Sequence, residues 1–377
     1  MTRRAPRVTP SADDPLAALT ADRVRALRSR LLRWYDRCAR DLPWRRRSGD
    51  VYAQWVAEVM LQQTRVATAT PYYERFLRRF PTVETLAAAH LDEVLALWQG
   101  LGYYRRAENL HRAAGLIVAR GGRWPATARQ WQQLPGVGRY TAGAIASVVL
   151  GERIAAVDGN VARVVSRLVR IEPDGDPRRA GTLVQAAAGR LVPPRRSGDF
   201  NQACMDLGAV ICLPREPACE SCPLAGRCEA LAGGVVGQIP ASRRRPLPRL
   251  EQRVVLAALS RKRLLMTRRP RGGRWSGLWE LPNADCPSEA HHTVLSSICS
   301  EFGLARAEPR FLGNVSHRLT HRVYRFHVYL AGGASRRRGC SLPPAARWFD
   351  LSDLDTPPVA AAQRKILRSV LTALPGD

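Results

Sequence analysis

The stretch "TARQWQQLPGVGRYTAGAIASVVL" (residues 127–150) carries the reading on which the fold turns. A helix runs to Leu134, a tight "PGVG" turn intervenes, and a second helix begins near Arg139. Gly136 and Gly138, on either side of Val137, allow the backbone to turn sharply. The helix N-terminus that follows offers free N–H groups and a partial positive charge, which suit a phosphate. Two helices joined in this way can hold a nucleic-acid backbone without reading its sequence. An ordinary corner between two helices uses the same glycines, so the turn by itself fits that plainer reading better. The charge of the chain and the motifs around the turn reverse the balance.

The chain has 377 residues, 59 Lys and Arg against 32 Asp and Glu, a formal net charge of +27 and a pI near 11.1. Such an excess seeks a polyanion, and nucleic acid is the commonest one in cells. Nearly all the basic residues are arginine, since only Lys262 and Lys365 are lysines. The first twenty residues contain no long apolar run, which excludes a secretory signal there, and no stretch reaches the apolar length of a membrane span. The expected setting is therefore the cytoplasm, beside the nucleoid of a bacterial-type cell, with no membrane partner and the chain a monomer.

Residues 1–20 read as a disordered basic tail, 21–231 as a helical domain, 232–252 as a linker rich in Gly, Pro and Arg, and 253–372 as an α+β domain. "VYAQWVAEVMLQQT" follows Asp50, a good N-cap, and predicts a helix from 51 to about 63. Asp158 is placed to cap the helix "GNVARVVSRLVR". Beyond the linker, "RVVLAAL" and "RLLMTRR" predict strands. In "HRVYRFHVYL" the residues Tyr324, Phe326, Val328 and Leu330 alternate with Val323, Arg325, His327 and Tyr329, the pattern of a half-buried strand. A helix over roughly 288–302 completes that domain.

Two carboxylates sit in contrasting surroundings. Glu58, in "WVAEVML", is flanked by apolar residues, and burial there raises a carboxyl pKa. Asp158 sits where N–H donors favour an anion. A partly exposed helix glutamate and a plain capping aspartate are the blander readings. Nine cysteines are present, and Cys212, Cys219, Cys222 and Cys228 share one loop, "CLPREPACESCPLAGRC" (212–228). In a reducing compartment four clustered thiols point to metal rather than disulfides. Four thiolates can close a zinc site or hold a 4Fe–4S cluster. With only one C-x2-C pair, the spacing leans modestly to iron–sulfur.

The thiol loop, the "LPGVG" turn and "DGNV" (158–161) together resemble the endonuclease III superfamily of helix-hairpin-helix DNA glycosylases. Within it, "EVMLQQT" (58–64), "GLGYY" (100–104) and "FNQACMDLGAVIC" (200–212) resemble the adenine DNA glycosylase, or MutY, family. The resemblance implies a mainly α, two-lobed domain binding duplex DNA with an A:8-oxoguanine or A:G mispair. It implies a structural 4Fe–4S cluster on the four cysteines, with Arg215 and Arg227 near phosphates. Glu58 matches the acid that protonates adenine, Asp158 the carboxylate that stabilises the sugar cation, and Asn160 an asparagine beside it. Tyr140 falls near the reacting sugar, where bifunctional relatives carry a lysine that forms a Schiff base. The implied reaction is therefore monofunctional. Gln62, Gln63 and Tyr103 match residues that wedge into DNA, and Trp44 and Arg45 match residues that shape the adenine pocket beside DNA.

"GRWSGLWELPNA" (273–284) resembles the family's Nudix-like C-terminal domain. Where a Nudix hydrolase needs a glutamate-rich metal box, "HTVLSSICSEFG" keeps only Glu301 and Gly303, so nucleotide hydrolysis is not expected. Leu319, Thr320 and His321 align with the element that recognises 8-oxoguanine in the family; "VSH" (315–317) is a competing alignment.

Overall fold

A computed structural model describes residues 15–172, 176–241, 247–270, 272–286, 290–305, 308–336 and 339–374. The first fourteen residues of the tail and residues 242–246 of the linker lie outside them. The helices come first: α1 (Ala21–Cys38), α2 (Val51–Leu61), α3 (Val66–Arg79), α4 (Val83–Ala88), α5 (Leu91–Trp98), α6 (Arg105–Ala119), α7 (Ala128–Trp131), α8 (Arg139–Val149), α9 (Gly159–Leu168), α10 (Pro177–Leu191), α11 (Ser197–Val210) and α12 (Glu229–Ala232). There follow β1 (Arg249–Ser260), β2 (Arg263–Arg268), β3 (Trp279–Glu280), β4 (Asn283–Asp285), α13 (His291–Glu301), β5 (Leu304–Ala305), β6 (Arg310–Arg318), β7 (Arg322–Ala331), β8 (Ser335–Arg336), β9 (Ala346–Asp350) and α14 (Ala361–Thr372). The architecture is a helical domain followed by an α+β domain, as the sequence patterns imply. No helix among the described residues is long and apolar enough to cross a membrane.

The chain separates into two compact units, residues 1–66 with 116–244, and residues 67–115 with 245–377. Segment 67–115, read as part of one helical domain, therefore clusters with the C-terminal half. Within that unit Tyr104 donates through its hydroxyl to the Val359 carbonyl, and Arg268 pairs with Asp92. These links tie the α3–α6 segment to the sheet domain, which periodicity cannot anticipate.

In the first unit α1, α9, α10 and α11 share a core that includes Leu27, Leu31, Val165, Leu168, Leu191 and Leu207. Helices α2 and α8 pack on each other, and α11 packs on both α8 and α9. Trp55 lies edge-on to Trp124, and Trp124 stacks on Trp131, joining α2 to the approach to the hairpin. Asp50 caps α2 as expected, accepting from the Ala53 N–H at 2.9 Å. The helix stops at Leu61, short of 63, because the backbone leaves helical geometry at Gln62 (ψ 112°) before the left-handed Gln63 (φ 57°). Helix α7 likewise ends at Trp131, before the expected Leu134.

In the second unit the main sheet runs β3-β2-β1-β7-β6, with β4 on β1 and β9 on β2. Strands β1 and β7 are parallel and β6 and β7 antiparallel. Pairing starts at Arg249, opposite Arg322, so β1 begins inside the stretch read as linker. Strand β7 is covered on both faces rather than one. Tyr324, Phe326 and Val328 face the core that includes Ile366 and Val370 of α14. On the other face His327 is buried, and Tyr329 packs on the core formed with Leu295 and Ile298 of α13.

Candidate active site

Helix α2 is the most enclosed helix of the first unit, with every residue from Tyr52 to Met60 buried. Its apolar sequence suits that position, and it carries two polar side chains inward, Gln54 and Glu58. The Gln54 amide Nε2 donates to Glu58 Oε1 at 2.9 Å, and the Tyr140 hydroxyl donates to Oε2 at 3.2 Å. Burial dominates the acidity of Glu58 and pushes its pKa up to about 7. The bonds from Tyr140 and Gln54 pull the other way, the Asp158 charge adds to the rise, and Arg45 subtracts from it. A carboxyl so placed holds a proton near neutrality, the state a general acid requires. Burial also pushes the Tyr140 phenol well above its ordinary value, so it remains a neutral donor.

Asp158 caps α9, accepting at Oδ1 from the Val161 N–H (2.7 Å) and at Oδ2 from Asn160 Nδ2 (3.1 Å). Arg163 donates to Asn160 Oδ1 at 2.9 Å, to the Gly208 carbonyl at 2.7 Å and to the Cys212 carbonyl at 2.7 Å. It thus joins the capping segment to α11 and to the start of the thiol loop. Gly208 has to be glycine for this approach, because a Cβ there would lie 2.7 Å from Asn160 Cβ and 3.0 Å from its carbonyl oxygen.

Arg45, which by resemblance shapes the adenine pocket, is held by an ion pair. Its guanidinium grips the fully buried Asp206 through two bonds, at 2.7 and 3.0 Å, and Arg40 Nε donates to the same carboxylate at 2.6 Å. The two guanidiniums hold the Asp206 carboxyl below its ordinary range against the opposing effect of burial. Sequence reasoning missed Asp206 and Gln54. Each had a signal: a single acid inside "FNQACMDLGAV", and an amide four residues before Glu58 in an otherwise apolar helix.

The hairpin is as expected. Gly136 takes φ 77°, Val137 is buried, and the exposed Gly138 caps α8 without a side-chain acceptor of its own. Gln62 Nε2 donates to Thr141 Oγ1 at 3.0 Å, while Gln63 is exposed on its left-handed backbone. In the second unit Tyr103 is also left-handed, at φ 51°, and 49% exposed. Non-glycine residues in this region carry strain, which recurs at functional positions. The Tyr103 hydroxyl lies 3.4 Å from Thr320 Oγ1. Thr320 and His321 are exposed in the β6–β7 turn, whereas Leu319 packs onto the sheet core. His317, on β6, sits beside Trp275, and burial lowers its pKa, helped by Lys365.

Cys212, Cys219, Cys222 and Cys228 line one apolar cavity, and none is in a disulfide. No three His, Cys, Asp or Glu side chains among the described residues converge on a single-ion site. Four thiols around one cavity are a donor set that could hold a metal. Burial pushes the Cys222 thiol up to about 11 and raises Cys228, so the positive charge of a bound metal is what would hold them as thiolates. Buried Arg167 also reaches the loop, donating to Cys212 Sγ at 3.3 Å and to the Leu213 carbonyl at 2.7 Å. Arg215 and Arg227 are exposed on it.

A family model described as HhH-GPD superfamily base excision DNA repair protein matches residues 56–187, and one described as NUDIX domain matches residues 254–369. The chain is 38% identical to an adenine DNA glycosylase of Homo sapiens, an alignment covering 94% of this chain and 75% of the relative. It is 32% identical to an adenine DNA glycosylase of Schizosaccharomyces pombe, covering 73% of each. Among solved structures, a thermostable thymine-DNA glycosylase is similar at 28% identity and a TM-score of 0.51, over 56% of this chain and 98% of that one.

Proposed function

The chain belongs to the adenine DNA glycosylases, enzymes of base excision repair, and on that premise we propose that it hydrolyses the N-glycosidic bond of adenine mispaired with 8-oxoguanine or guanine in duplex DNA. The observation that carries the mechanism is the pair of carboxyls in one unit, Glu58 among neutral partners in the interior and Asp158 at a helix N-terminus. Breaking the bond builds positive charge on the sugar and negative charge on the leaving base. Glu58 gives its proton to the adenine ring nitrogen N7, so the base departs neutral. Asp158, held by the Val161 and Asn160 donors, stabilises the oxocarbenium ion, and water completes the hydrolysis. Tyr140 keeps its contact with the acid.

The reaction is monofunctional. Strand cleavage by β-elimination needs an amine nucleophile, whereas position 140 is tyrosine and both lysines, Lys262 and Lys365, lie in the C-terminal half. Base flipping costs a few kcal/mol of unstacking, and Gln62, Gln63 and Tyr103 are the side chains that wedge into the DNA. The backbone at Gly136, Val137 and Gly138 holds phosphate. Cys212, Cys219, Cys222 and Cys228 hold a 4Fe–4S cluster, which supplies rigidity to a loop bearing Arg215 and Arg227. Thr320 and His321 contact the 8-oxoguanine, with Leu319 anchoring the turn. The enzyme acts as a monomer in the cytoplasm, at the nucleoid.

The test is a labelled duplex with one adenine opposite 8-oxoguanine, incubated with the protein or its Glu58→Gln variant and analysed with and without hot alkali. Cleavage appearing only after alkali, and lost in the variant, is the expected result. An undamaged strand with DNA binding and the cluster both present would remove the assignment.

A further inference from the structure

Gln54 is an unusual residue for its place. It lies one helical turn before Glu58, on the same face of α2, and is only 4% exposed in a run that is otherwise apolar from Tyr52 to Val56. A buried amide is costly unless it is bonded, and its Nε2 bonds to the acid itself, at Oε1. We propose that Gln54 is a positioning residue that confines the transferable proton of Glu58 to Oε2. The inference rests on Glu58 being the general acid.

The argument is one of donors and acceptors. An amide N–H can only donate, so a proton on Oε1 would face another proton. On Oε2 the proton faces the Tyr140 oxygen, which can accept as readily as it donates. On transfer, the Oε2–H bond breaks and a bond from hydrogen to the adenine ring nitrogen forms. The electron pair left on Oε2 completes a carboxylate, and the pair of the broken glycosidic bond goes to the base. Gln54 then stabilises the new carboxylate through Oε1. Its bond also opposes the rise in pKa that burial imposes. The other groups acting on Glu58 are Tyr140 from α8, Asp158 at the start of α9 and Arg45 from the segment before α2. None of these reaches Oε1 in place of the amide.

The experiment is a single-turnover pH series on the full chain, from about pH 5 to about pH 9, with wild type, Gln54→Met, Gln54→Glu and Glu58→Gln. Methionine keeps the length and removes the donor. The expected result is a rate lowered about threefold to tenfold on the acidic plateau, with the alkaline limb moved up by about one pH unit. A limb that is unmoved or moves down in Gln54→Met overturns the proposal, since a merely structural role would change melting temperature and amplitude alone. Gln54→Glu, closest in size, serves if the methionine variant does not fold. A second carboxyl against Oε1 moves the limb up further, and an unmoved limb there is equally fatal. Activity retained in Glu58→Gln would instead overturn the reading of Glu58 as the acid, so the two failures are distinguishable.

Discussion

Glu58 in the helical half and Glu280 in the sheet half are both buried glutamates, and they have been put to different uses. Burial raises the pKa of each. Glu280 meets the Arg269 guanidinium at 2.8 Å, which offsets part of that rise and ties the carboxylate into an ion pair. Glu58 bonds to an amide and a phenol, which offset only part of its burial and leave its pKa at about 7. Asp206 is the extreme of the first kind, with two guanidiniums that outweigh complete burial. A buried acid becomes available for chemistry when its partners are neutral, and becomes a fastener when they are cationic.

The most severe way to break this contrast is Glu58→Gln, which removes the proton without changing the shape. We expect the excision rate to fall by about 10²–10⁴-fold, with DNA binding kept, as measured by single-turnover cleavage and filter binding. Asp206→Ala takes away a fastener and leaves the Arg45 and Arg40 charges without their counter-ion. Its expected cost is about 3–5 kcal/mol, to be seen in denaturant melts of the full chain. Gly208→Ala forces α11 away from Asn160. Overpacking of this kind costs about 1–3 kcal/mol, and the variant should lose rate as well as stability because Asn160 holds Asp158.

The wild-type pH profile sharpens the comparison without a mutation. Glu58 is active when protonated, so its active form dominates below about 7 and is lost above it. The excision rate should therefore fall about tenfold per unit on the alkaline side; a rate that rises through neutrality would contradict an acid at this site. Glu280→Gln is the smallest effect expected. It leaves the partly exposed Arg269 without its carboxylate and should cost about 1 kcal/mol. The pH limb should stay where it is, because Glu280 belongs to the other unit.

Much of this was legible in the sequence because it depends on local chemistry. Asp50 and Asp158 announce themselves as caps by residue type and by the helical patterns that follow, and both accept the expected N–H bonds. The glycines of "LPGVG" specify a turn that few other residues could make. Glu58 among apolar neighbours implies burial and a raised pKa before any coordinates are seen. The four cysteines of one short loop point to a shared site, and all four line one cavity.

Only the tertiary structure decided who meets whom. Arg45 could be matched to a pocket by resemblance, but that it grips Asp206, 161 residues further along the chain, came only from the structure. His327 sat on the exposed side of an alternating strand until α13 supplied a second layer. The segment 67–115 reads as helix like its neighbours, but it clusters with the C-terminal sheet. Capping, turning and periodicity act over a few residues and leave marks in composition. Ion pairs and layer contacts are made by residues far apart in the chain, and a single sequence carries no record of which partner closes them.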